Sequence, residues 1–211
     1  VLEAYSAAPN KPSDRMAVWV SGFFGSGKSS FAKLLGLALA NRQLGSDTTS
    51  QLLAEHIGDP KVQVLIKTVV EKIPTEAVIF DVATERGVMH GNQMLTEIMY
   101  RQLLAHLGYA SDLDLAELEI TLESEGRLDE FKSVYKKLYP NKNWDKSKNL
   151  IAFAMNEASR VMHELEPDTY SSADSWVRGA KERADISPNL LADRCKELTA
   201  RRGENRNLVF V

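Results

Sequence analysis

The run Gly22-Phe23-Phe24-Gly25-Ser26-Gly27-Lys28-Ser29 has the spacing Gly-x-x-x-x-Gly-Lys-Ser. Each residue type in it suits one task in gripping a polyphosphate. Glycines let backbone N–H groups crowd around a phosphate with no Cβ in the way. A helix starting near Gly27 aims its positive end at the same oxygens. Lys28 brings a point charge to the β- and γ-phosphates, and the Ser29 hydroxyl is placed to ligate Mg2+. The expected ligands are therefore ATP and Mg2+, held between Gly22 and Ser30, with Lys28 as the catalytic group; the Ser30 side chain itself reads as helix surface. Hydrolysis asks for more: an acid at the tip of a neighbouring strand for the magnesium shell, a group that orients water, and often an arginine. Asp81, closing the apolar run Ala77-Val78-Ile79-Phe80, is one candidate for that acid. The other is whatever follows the run 207–211, and we favour it.

Such a loop works only between a strand and a helix, and the flanking residues predict both. Ala17 to Gly22 is a short β-branched and aromatic run entering a turn, which reads as a buried strand. From Lys28 to about Ala40, Phe31, Leu34, Leu35, Leu37 and Leu39 fall on helical spacing. Asp59 then offers an N-cap with Pro60 in the first helical position, and Pro74 closes that segment. Residues 76–84 read as a second strand. Between 88 and 202 the spacing predicts helices only, one ending at Gly108 and the last running from Ser187 as N-cap, through Pro188, to Gly203. Residues 207–211, Asn-Leu-Val-Phe-Val, read as a third strand. The expected fold class is α/β: a P-loop NTPase with a three-layer, mostly parallel sheet, a large helical insertion and an incomplete sheet. Its parts are an irregular lead-in (1–16), the first part of the core (17–87), the helical region (88–202) and a third core strand (203–211).

Composition limits what this core belongs to. Hydrophobic residues make up 44% and charged ones 26%, enough for a real core, and the net charge of −3 excludes a global cationic field. The lone Cys195 forms no internal disulfide, and no apolar run reaches the ~18 residues of a membrane span. A cytoplasmic protein with no membrane partner is the expectation. Val1 stands where an initiator Met would, and we read the start as a cut within a longer protein. Residues 112–130 hold eight acids against Arg127, while 132–148 hold six lysines against Asp145. The plain reading is two solvated helix faces; the sharper one is a basic patch for a nucleic-acid backbone, with Tyr135, Tyr139 and Trp144 among the lysines.

The segment VWVSGFFGSGKSSFAKLLG, with two phenylalanines inside the loop, resembles the large P-loop ATPases of BREX bacteriophage-defence systems, the BrxC/PglY family. In that family the loop lies near the N-terminal part of a long protein, and a strand similar to Leu208–Val211 precedes an Asp-Glu pair that serves as Walker B. The resemblance implies ATP binding at Gly22 to Ser29, a bacterial antiviral ATPase, other defence-complex subunits as partners, and DNA through the assembly. Oligomerisation is part of the same expectation. The magnesium-shell acids would then lie past Val211, so the chain is expected to bind ATP without efficient turnover.

Two other classes compete. A nucleoside- or nucleotide-type kinase would use Asp81 toward the acceptor hydroxyl and Arg201, Arg202 and Arg206 in a lid. A non-hydrolysing, nucleotide-gated interaction module is the third. His56, His90, His106 and His163 lack metal-site spacing. Trp19 reads as a core aromatic of the first strand, and Arg86 and Arg101 as surface arginines with a minority role as phosphate sensors.

Overall fold

The computed structural model describes residues 1–7, 17–82, 95–180, 186–203 and 206–211. In chain order its elements begin with α1 (Leu2–Ala7), α2 (Lys28–Ala40), β1 (Gln43–Leu44), β2 (Asp47–Thr48), α3 (Thr49–Ile57), α4 (Pro60–Lys72) and β3 (Thr75–Val78). They continue with α5 (Leu95–Leu107), α6 (Leu113–Ser124), α7 (Leu128–Leu138), α8 (Trp144–Ser147), α9 (Ile151–Leu165), α10 (Ser175–Gly179), α11 (Pro188–Ala200) and β4 (Asn207–Phe210). These form two compact units, Val1–Gly91 with Asn189–Val211, and Asn92–Pro188.

In the first unit, local chemistry sets the helix ends. Asp59 Oδ1 accepts from the N–H groups of Lys61 (2.8 Å) and Val62 (3.2 Å), and Pro60 starts α4, as its missing N–H allows. Thr48 and Gln51 form a capping box at α3, each side chain accepting from the other's backbone N–H. The core gathers Tyr5, Leu39, Val69 and Ile73, with Leu2, Leu35 and Val209 packed against them. The Tyr5 hydroxyl lies 2.8 Å from Thr75 Oγ1, whose own proton goes to the Ile73 carbonyl, so Tyr5 is the donor. β3 and β4 pair in parallel, Thr75 opposite Asn207 through Val78 opposite Phe210. The Val211 N–H to the Val78 carbonyl (2.8 Å) and the Phe80 N–H to the Val211 carbonyl (3.0 Å) carry the ladder past both strands.

The expected fold class is not what forms. The described residues are mostly helical, with two two-stranded sheets: the antiparallel pair β1–β2 and the parallel pair β3–β4. No three-layer sheet is built among them. The strands expected at 76–84 and 207–211 exist in shorter form, but Ala17 to Gly22 is not a strand. An apolar β-branched run is only a candidate; it becomes a strand when a neighbour supplies the ladder hydrogen bonds. Among the described residues none does, and Trp19, expected in the core, is 91% exposed.

The second unit has its own core of Leu115, Leu118, Leu122, Phe131, Tyr135 and Trp144 with the α9 residues Ala154, Ala158, Val161 and Met162. Trp144 stands edge-on to Phe131 and Tyr135, with centroids 5.0 and 5.2 Å away. Two members of the charge blocks enter this core. Glu119 and Lys148, with side chains 2% and 7% exposed, pair at 3.0 Å. Glu119 also accepts from Trp144 Nε1 and the Ala110 N–H, each at 2.7 Å. Four of the six lysines are engaged by carboxylates or carbonyls: Lys132 by Asp145, Lys136 by the Pro140 and Lys142 carbonyls, Lys142 by Glu157, and Lys148 by Glu119. With Tyr135 and Trp144 in the core, only the half-buried Tyr139 is left of the three aromatics named among these lysines.

Tyr135 also gives this unit an alkaline limit. Burial, reinforced by the hydrogen bond it donates to Glu157 (2.6 Å), pushes its phenol up to about 12. The unfolded phenol loses its proton near 10, so between those values the folded state holds the proton more tightly. Its contribution to stability is full below pH 10 and is lost as pH rises through 12. Tyr135→Phe is expected to flatten that part of the stability profile, read as urea midpoints from pH 9 upward. An unchanged slope would move the alkaline limit to another group.

Candidate functional site

The glycines of the loop hold the conformations that make it a loop. Gly25 and Gly27 have φ of 80° and 83°, in the left-handed region where a side chain is strained. Gly22 lies so close to Ser26 that a Cβ there would sit 2.9 Å from the Ser26 hydroxyl. The Ser26 N–H turns back to the Phe23 carbonyl at 3.2 Å, and the Phe31 N–H to the Gly27 carbonyl at 2.8 Å is the first bond of α2. Gly27 is the N-cap and offers no side-chain acceptor. The first amides of α2, those of Lys28, Ser29 and Ser30, are thus left to an outside acceptor, at the positive end of the helix dipole.

Lys28 is half-buried and folds back over the loop, donating to the carbonyls of Gly22 (2.8 Å) and Phe23 (2.7 Å). An ammonium carries three donors, so one remains for an anion, and an entering phosphate competes for the other two. Ser29 and Ser30 are exposed. Phe23 and Phe24 are 91% and 106% exposed, packing against nothing.

Packing on the parallel pair decides where this loop points. Gly36 of α2 lies against Ile79 and Val211, at the C-terminal ends of β3 and β4. One turn later Leu39 packs in the cluster that holds Ile73 and Val209, further back along the strands. α2 therefore runs antiparallel to β3 and β4. Lys28 lies eight residues before Gly36, ~12 Å along the helix axis, so the loop projects beyond the carboxyl ends of the strands. In parallel sheets that end is where ligands bind. Asp81 is exposed and directly follows Phe80, whose N–H bonds to Val211, so it belongs to the same end.

The other residues named from sequence are dispersed. Arg206 pairs with Glu76 at 2.5 Å, ahead of β4, and Arg201 with Glu197 at 2.7 Å on the last turn of α11. Arg206 is thus at the opposite end of the strand pair from Asp81, its partner Glu76 lying five residues and ~16 Å of strand before it. The geometry does not bring it over the loop as a lid. Arg101 is tied to Glu97 (2.9 Å) and to the Ser111 carbonyl (2.8 Å), a structural role within the second unit. His56 and His106 lie in the last turns of α3 and α5. His163 Nδ1 lies 2.5 Å from the Tyr170 carbonyl. His90 and Arg86 lie outside the described residues. Burial pushes the half-buried Cys195 thiol up to about 11, which keeps it in the protonated form at neutral pH.

Among the described residues no three or more His, Cys, Asp or Glu side chains converge on a metal position. A magnesium ion carried by a polyphosphate asks less of the protein: one or two oxygens, with waters and phosphates completing the shell. Ser29 and Asp81, at one end of the strand pair, are chemically suited to that. Among the described residues no helix is long and apolar enough to cross a membrane.

No protein-family model matches the chain. No solved structure matches it. Gly36, on which the orientation of α2 depends, was absent from the residues expected to matter. The signal was there: a glycine between leucines inside a helical pattern costs helix stability and marks a close approach.

Proposed function

We propose that this chain binds Mg-ATP through Gly22 to Ser30, as the nucleotide-binding segment of a large P-loop ATPase of the kind found in bacterial BREX defence systems. One observation carries the reading: a glycine-turned loop with an uncapped helix N-terminus and Lys28 projects past the carboxyl ends of a parallel strand pair. The loop amides and Lys28 take the β- and γ-phosphates, and Ser29 takes the magnesium ion. Asp81 is the candidate second oxygen of its shell. Turnover further requires a group that orients water, and other subunits of a cytoplasmic defence complex, with DNA, are the partners that this reading brings.

The test is Mg2+-dependent ATP binding by calorimetry on the whole 211-residue chain. Lys28→Ala removes a charge-assisted contact of about 2 kcal/mol, so ATP is expected to bind about 30-fold more weakly. Circular dichroism should not change, because Lys28 contacts only loop carbonyls. Equal affinity in the two proteins would refute the reading. Phosphate release that depends on both Lys28 and Asp81 would make Asp81 the magnesium-shell acid.

A further inference from the structure

We propose that the first turn of α9 is a docking surface for an acidic amphipathic segment of a partner protein, which lays apolar side chains on Leu150, Ile151 and Phe153 and sets a carboxylate against the helix start. The turn exposes three large apolar side chains within four residues, Leu150 at 62%, Ile151 at 45% and Phe153 at 64%. A single exposed apolar residue needs no explanation, but three on one turn form a patch. Lys142 joins it to the end of α7: its ammonium lies 5.5 Å from the centre of the Tyr139 ring and 5.9 Å from that of Phe153.

The chemistry of the occupant follows from what this turn lacks. Leu150 stands at the N-cap, where it makes no side-chain hydrogen bond, and the first turn holds no acid. Leucine is among the poorest caps. The N–H groups of Ile151 and Ala152 therefore have no acceptor among the described residues, at the positive end of a 15-residue helix. Lys137 and Lys146, exposed at the same end, pair with no carboxylate among the described residues. The acids nearby are taken, Asp145 by Lys132 and Lys148, Glu157 by Lys142 and Tyr135. Positive charge and open amides thus surround an apolar patch, and their complement is a carboxylate beside apolar side chains. A lipid surface fits less well, because carrying this turn into hydrocarbon would strand the two amides without acceptors. A nucleic-acid backbone would satisfy amides and lysines but set Leu150 and Ile151 against sugar and phosphate. The acidic stretch 112–130 of a second copy shows no exposed large apolar side chain, so it offers the charge without the apolar half.

The surface lies wholly within the second unit, so its test is separate from that of ATP binding. Fluorescence anisotropy on the whole chain uses a labelled helical peptide with Leu on one face and Glu on the other, beside the same peptide with Gln for Glu. The Glu peptide is expected to bind at least about tenfold more tightly than the Gln peptide, by a margin that shrinks as salt rises. Phe153→Ser and Lys146→Glu are each expected to weaken its binding at least about tenfold. Leu150→Asp supplies the missing cap from within the chain. It should abolish binding while the protein unfolds at a temperature no lower than the parent's, which separates loss of the surface from loss of the fold. Equal binding of the two peptides, no binding of the Glu peptide, or indifference to these substitutions would overturn the proposal. So would vesicles of phosphatidylserine or a DNA duplex that bind more tightly than the peptide and depend on Phe153 and Lys146. Self-association abolished by the same substitutions, read by sedimentation equilibrium, would assign the surface to a second copy and overturn it too.

Discussion

Lys148→Met is expected to lower the unfolding free energy by about 3–5 kcal/mol, the cost of leaving one partner of a buried ion pair alone. Glu119, 2% exposed at its side chain, would keep the Trp144 indole and the Ala110 amide as donors but lose its countercharge. The Gly108 carbonyl, which also accepts from Lys148 at 2.5 Å, would lose its donor too. Replacing both charges behaves differently, since a neutral, well-packed pair escapes the desolvation cost. Glu119→Gln with Lys148→Met should therefore recover part of the loss: the Gln oxygen keeps one of the two donors, Trp144 Nε1 or the Ala110 N–H, and its NH2 faces the other. Urea unfolding followed by Trp144 emission measures this, because Trp144 belongs to the same core. A single-variant loss below about 1 kcal/mol would mean that water reaches the pair and that the cluster is a surface feature.

The second large effect belongs to α2. A Cβ at Gly36 would stand 2.9 Å from Val211 Cγ2 and 3.3 Å from Ile79 Cδ1. Gly36→Leu is expected to destabilise the first unit by about 3 kcal/mol, the upper range for overpacking. Gly36→Ala sets a smaller clash against the roughly 1 kcal/mol that Ala gains over Gly in a helix, so it should fall within about 1 kcal/mol of the parent protein. Because Gly36 also determines how α2 crosses the strands, Gly36→Leu should weaken ATP binding without touching the loop. Urea midpoints with ATP titrations on both variants check this. If Gly36→Leu left stability unchanged, α2 would not cross the strand ends at this glycine.

What was legible in the sequence was what depends on near neighbours in the chain. The helix from Lys28 to Ala40, the Asp59–Pro60 start of α4, the stop at Gly108 and the run of helices after it all follow from spacing, caps and glycines. The loop's glycine conformations follow likewise, because only glycine accepts φ near +80° without strain. The two strand runs at β3 and β4 were legible as strands, though not their partnership across some 130 residues.

The misreadings share one cause. A three-layer sheet was inferred from apolar runs, but a sheet is a relation between strands, and the Ala17–Gly22 run, equally apolar, enters no ladder among the described residues. Trp19 was placed in a core by its type and instead is exposed, while Glu119 and Lys148 were placed on a surface and instead are buried. Local pattern records what a residue favours; burial depends on which distant residues satisfy its polar atoms and cover its apolar ones. By itself, then, the sequence determined the glycine loop, its lysine and the helix that follows. Only the tertiary structure decided that α2 runs antiparallel to β3 and β4, setting the loop past their carboxyl ends, because that depends on Gly36 meeting Ile79 and Val211 across the fold.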